Sequence, residues 1–165
     1  MNVKWLRRIK AVPEPVYAKD ETSKYTELMA DGKAWIFTFP MDAKSVITRP
    51  SGGHKLAGPG FHEIRGLAWS GRGRIRKVEV STDGGATWKE AQLQDPVLPK
   101  AFTPFRLGWN WDGKEGLLVS RCTDDTGYVQ PDREELVASR GMNSNYHCNV
   151  RKAWRVGADG SVKNA

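Results

Sequence analysis

From Trp35 onward the chain alternates short apolar runs with clusters of Gly, Pro and Asp: AWIFTF, KSVITRP, GFHEIRGLAWS, RIRKVEVSTD, TWKEAQL, FRLGWNWD, GLLVSRCTD and NVRKAWRV. In RIRKVEV and WKEAQL apolar and polar positions alternate as in half-buried strands, and turn residues punctuate the gaps between runs. No segment sustains a 3.6-residue apolar period, and only REELVASR could hold a helical turn. Roughly eight strands without long helices predict an all-β fold, an immunoglobulin-like antiparallel β-sandwich. Residues 1–33 read differently. VPEPVY and the polar AKDETSKYTELMADG predict an extended N-terminal arm. The expected division is therefore an arm over residues 1–33 and a sandwich over 34–165.

One turn is specified more tightly than the rest. In STDGGATW, Asp83-Gly84-Gly85 combines a side chain that bonds its own downstream backbone with two residues that accept positive φ, which predicts a hairpin. Ser81, Asp83 and Thr87 are expected to tie it, with Trp88 covering it. The pattern resembles the Asp-box hairpin of sialidase propellers, but a propeller repeats such a unit from blade to blade, and here it occurs once. Its expected role is structural. The long connection DDTGYVQPDREELVASRGMNSNYH breaks the short-loop pattern, so contacts with ligands or partners are expected there.

Composition narrows the partners. The 165 residues carry a formal charge of +7, which favours an anionic partner: nucleic acid, an acidic protein face, a membrane surface or a small oxyanion. No apolar run approaches the roughly 18 residues of a membrane helix, and MNVKWLRRIK has no signal-peptide core, so no targeting signal is read in this chain. The basic SGRGRIRK reads as the solvent face of a strand, not a nucleic-acid patch, because the aromatics lie in strand patterns. His54, His62 and His147 are scattered, and no metal site or hydrolytic triad is expected. Asp124, Asp125 and Asp132 read as turn and cap residues. Cys122 and Cys148 have no ligand-type spacing and read as free core thiols. Arg140 precedes a Gly that lets the backbone bend, so its guanidinium could fork toward an oxyanion or form a salt bridge to a loop aspartate.

Taken together, GFHEIRGLAWSGRGRIRKVEVSTDGGATWKEAQL, GYVQP and SRGMNSNYH resemble the C-terminal dimerisation domain of the sulfite oxidase family of molybdenum enzymes. ETSKYTELM, AKSVITRPSGG, VLPKAFTPFRLGWNWDG and TDDTGYVQP are most similar to the molybdenum subunits of bacterial sulfur-oxidation (Sox) dehydrogenases, which act on sulfite or sulfane sulfur. The resemblance implies a homodimer, a molybdenum–molybdopterin cofactor bound mostly by an upstream domain, an anionic sulfur substrate, a cytochrome c subunit as electron acceptor, and a periplasmic location. NVKWLRRI resembles the end of the cofactor domain, so the chain is expected to start mid-protein. The resemblance places Asn2, Val3 and Lys4 at the cofactor, with Lys4 toward its phosphate, and Arg140 in the substrate anion pocket. It puts no catalytic residue and no metal ligand in this chain, since neither Cys122 nor Cys148 sits in the motif of the molybdenum-ligating cysteine. A free-standing β-sandwich interaction module without catalysis is the other reading.

Overall fold

The computed structural model describes residues 4–19, 25–36, 39–142 and 148–165. In chain order the elements are β1 (Glu27–Leu28), β2 (Ala34–Trp35), β3 (Lys44–Arg49), β4 (Gly60–Trp69), β5 (Ile75–Ser81), β6 (Lys89–Glu90), β7 (Gln92–Leu93), β8 (Thr103–Trp111), β9 (Gly116–Asp124), α1 (Arg133–Arg140), β10 (Ala153–Val156) and β11 (Val162–Asn164). Two antiparallel sheets face each other, one with order β11-β10-β9-β5-β6 and one with order β3-β4-β8-β7. A separate two-stranded ribbon pairs β1 with β2.

Alternation along β4, β5 and β8 produces this arrangement. Side chains two apart share a face of a strand, so Ile64 and Ala68 of β4 and Phe105 of β8 point inward from one sheet. Val78 and Val80 of β5, Leu118 and Cys122 of β9 and Val156 of β10 answer from the other. Gly66 lies opposite Phe105 in the β4–β8 ladder. A Cβ there would come within 2.3 Å of the Val46 carbonyl oxygen and strike the Phe105 ring, so the close approach of ring and backbone demands glycine. The sandwich is the predicted all-β, immunoglobulin-like architecture.

Three elements differ from expectation. Among the described residues of AWIFTF, Ala34–Trp35 form a strand, and that pair joins the outlying ribbon. TWKEAQL is split at Ala91: β6 pairs with β5, whereas β7 pairs with β8 of the opposite sheet. Ala91 is buried at the crossing and donates its N–H to the Val78 carbonyl, 2.8 Å away. The terminal VKN has little apolar content to announce a strand, yet it pairs with β10 from Val156↔Val162 to Trp154↔Asn164. Residues 4–19 are exposed throughout and include Trp5, Ile9 and Tyr17.

A buried polar chain joins the sheets beside the long loop. Gln130, fully buried, accepts the Ser45 N–H at 2.9 Å, and its Oε1 lies 2.7 Å from Ser45 Oγ. Ser45 Oγ is in turn 2.9 Å from Ser120 Oγ on β9. This amide therefore fixes the loop against one strand of each sheet, and every bond in it is shielded from water.

Candidate functional site: the Arg140 pocket

The helix that carries Arg140 is specified locally. Asp132 accepts the Glu135 N–H at 2.9 Å and donates its own N–H to Glu135 Oε2 at 2.8 Å, a complete capping box. Arg151 clamps this cap from outside, bonding Glu135 Oε2 at 3.1 Å and the Gln130 carbonyl at 3.0 Å. Its guanidinium also lies 5.6 Å from the Trp88 ring, which holds Arg121 at 4.2 Å. Trp88, the tryptophan of the tight hairpin, is thus linked to the helix start. At the other end Gly141 takes φ 80°, and an added Cβ would sit 2.8 Å from the Leu28 carbonyl oxygen. Both the left-handed turn and the approach of β1 require glycine there.

This geometry delivers Arg140 into a buried position, with 5% of its surface exposed. Its guanidinium ion-pairs with Asp42, lies 3.8 Å from Glu27 Oε2, and stacks on Trp35 at 4.4 Å. Asp42 also accepts from Arg72 Nε at 2.7 Å, so one buried carboxylate bridges two arginines. The pocket in front has a volume of about 430 Å³ and is lined by Trp35, Asp42, Arg72, Tyr128, Ser139 and Arg140. Burial pulls the Arg140 pKa down, and the Glu27 charge opposes it. An arginine remains cationic under such shifts, so the site holds two guanidinium groups, Arg140 and Arg72, against the Asp42 and Glu27 carboxylates and the Trp35 ring.

The remaining sequence-predicted residues fall as follows. Asn2, Val3 and His147 lie outside the described residues, and Lys4 is exposed. Among the described residues no group of His, Cys, Asp and Glu is arranged to hold a metal ion, and no helix is long and apolar enough to cross a membrane. Cys122 is in the core, where burial pushes its thiol up to about 12; its Sγ lies 3.8 Å from Gln130 Oε1. Cys148 corrects the expectation of a second core thiol: it is free but exposed. Asp132 is the predicted cap, and Asp124 accepts from Ser70 Oγ and from Thr126. Arg76 and Lys77 of the basic run pair with Asp125 and Glu79 on the sheet surface.

The tight hairpin is tied as the sequence predicted. Ser81 Oγ accepts from Gly85 N at 2.8 Å, and Asp83 Oδ1 accepts from Ser81 Oγ at 2.6 Å and Thr87 N at 2.9 Å. Sequence reasoning missed Glu27, Trp35, Asp42 and Arg72 as neighbours of Arg140. Its expected loop-aspartate bridge is formed by Asp42 instead, 98 residues away in sequence. No local signal marks such pairs; the one clue was acidic residues inside otherwise uninformative stretches.

The chain is thus an antiparallel β-sandwich whose loop helix ends on a buried Arg140–Gly141 step beside a pocket. The chain belongs to the family described as Mo-co oxidoreductase dimerisation domain, matching it over residues 33–153. It is 53% identical to the solved sulfane dehydrogenase SoxCD from Paracoccus pantotrophus, with a TM-score of 0.85 over 90% of this chain and 38% of that chain. It is also 31% identical to sulfite oxidase from Gallus gallus over 79% of this chain and 31% of the relative, and 33% identical to the mitochondrial sulfite oxidase of Homo sapiens over 87% and 29%. The chain therefore spans about a third or less of the curated relatives it matches.

Proposed function

We propose that the chain is the dimer-forming C-terminal part of a molybdenum-cofactor dehydrogenase acting on sulfite or sulfane sulfur, and that Arg140 binds the substrate anion. The observation that carries this reading is the Arg140 guanidinium, buried against Trp35 and aligned by Asp42 and Glu27 at the rim of a pocket. Support comes from the likeness to a sulfane dehydrogenase and from the family's description as a dimerisation domain.

When bound, the molybdenum cofactor supplies the two-electron oxidation of sulfur, with electrons leaving to a cytochrome c subunit. The residues of this chain do other work. Arg140 binds and orients the anion, Asp42 and Glu27 keep its guanidinium from rotating, and Trp35 excludes water from one face. Lys4, with Asn2 and Val3, is assigned to the cofactor, its ammonium suited to a phosphate. The cofactor's metal ligands are assigned to a domain not contained in these residues. The periplasm is the compartment that goes with this assignment.

The test is Arg140→Ala in the complete enzyme. A charge-assisted contact contributes about 1.5–3 kcal/mol, so KM should rise roughly tenfold or more on the folded, molybdenum-loaded enzyme, while the melting temperature falls because the buried Asp42 and Glu27 carboxylates lose their cation. Arg140→Lys should recover only part of the loss, because an ammonium cannot reproduce the fork. An unchanged KM would remove Arg140 from the anion pocket.

A further inference from the structure

The outer face of the four-stranded sheet carries an arrangement that folding alone does not favour. Arg49 on β3 is paired directly with Arg65 on β4, and Arg65 is paired directly with Arg106 on β8. Residues directly opposite in an antiparallel ladder project to the same face, and like charges so placed repel. Three exposed arginines therefore stand in one row across neighbouring strands. Their compensation is thin. Arg65 pairs with Glu63, Arg106 Nε donates to the Gln92 amide oxygen at 3.0 Å, and Arg49 has no ion pair among the described residues. The row opens at its β3 end into a pocket of about 540 Å³, where Lys55 adds to the basic wall, Glu63 sets one carboxylate against it, and Leu56, Ala57 and Phe61 form the apolar side. Phe61 is 72% exposed.

We propose that this face docks an acidic segment of a partner polypeptide, with carboxylates on the Arg49, Arg65 and Arg106 row and an apolar side chain against Phe61. Strands lie about 4.8 Å apart, so the row spans roughly 10 Å, wider than one tetrahedral oxyanion. Carboxylates two residues apart on an extended segment are about 7 Å apart and fall within it. A small oxyanion would also leave the apolar wall unused, whereas an acidic segment with one apolar anchor uses both. The proposal does not depend on the role assigned to Arg140, which lies in a different pocket.

The experiment is fluorescence anisotropy of the full chain with a labelled decapeptide of glutamates carrying one central leucine, at roughly 50 mM salt, where surface charges are only partly screened. Arg49→Gln/Arg65→Gln/Arg106→Gln should weaken binding at least about tenfold, and Phe61→Ala should weaken it a few-fold. Arg74→Gln/Arg76→Gln/Lys77→Gln removes the same charge elsewhere and should change affinity by less than about twofold. The row variant should keep or raise its Tm, since relieving like-charge pairs does not cost stability. Equal losses in both triple variants would reduce the effect to net charge and overturn the proposal. So would absence of binding, tighter binding of an oligonucleotide of matched charge, or displacement by millimolar sulfate with Phe61→Ala silent. Conversion of a dimer to a monomer by the row variant would assign the face to a second copy of this chain instead.

Discussion

Gln130 shows how much can rest on one side chain. Its amide meets Ser45 three times through hydrogen bonds and approaches Cys122, all in a fully buried setting. Gln130→Ala should cost about 2–3 kcal/mol in denaturant unfolding, because it strands the Ser45 groups without water. Asp83 offers a test by pH. Hydrogen bonds from Ser81 first, and then from the Thr87 hydroxyl and N–H, hold its carboxyl well below the usual carboxylate range. A depressed folded-state pKa stabilises the protein fully above the unfolded value and loses that contribution as pH falls below it. Asp83→Asn should therefore flatten the acid limb of a stability–pH curve below about pH 4, while leaving the neutral slope unchanged. These residues differ in legibility. Asp83 and Asp132 act within a few positions of themselves, so their roles could be read from spacing. Asp42 meets Arg140 across 98 residues, and nothing local marks such a meeting.

At the level of elements, the strands were legible because each buries one face, and burial writes period two into the sequence. GFHEIRGLAWS and FRLGWNWD became the long central pair β4 and β8. REELVASR was legible as a helical turn behind the Asp132 cap, and the structure extends it to the eight residues of α1 through the reciprocal Glu135 bond. What escaped was pairing that side-chain pattern does not encode: the ribbon of β1 and β2, and the polar edge strand β11. The ribbon matters because Leu28 packs on Gly141, the hinge that sets the aim of Arg140. Gly141→Ala combines a left-handed backbone with a clash against the Leu28 carbonyl and should cost about 1–3 kcal/mol. In the complete enzyme it should also raise KM, which a purely structural loss away from the pocket would not do. Denaturant unfolding and initial-rate kinetics on the same preparation measure both.

For the whole molecule, charge and fold answer different questions. The excess of +7 named a class of partner, and the structure divides those charges among an internal arginine on two carboxylates, a paired surface run, and a thinly compensated row on the opposite sheet. One further property follows from Ala91, where a single stretch of backbone leaves one sheet and enters the other. With its N–H bonded to Val78, that residue acts as a rivet through both leaves of the sandwich. Neither leaf can peel away while the other stays intact, since the shared residue must first be torn from the core. Amides of β5 and β8, on opposite leaves, should therefore exchange their hydrogens through the same global opening, with matching free energies and a common denaturant dependence. Replacing Ala91 with glycine should loosen the rivet and let the two sets of rates separate.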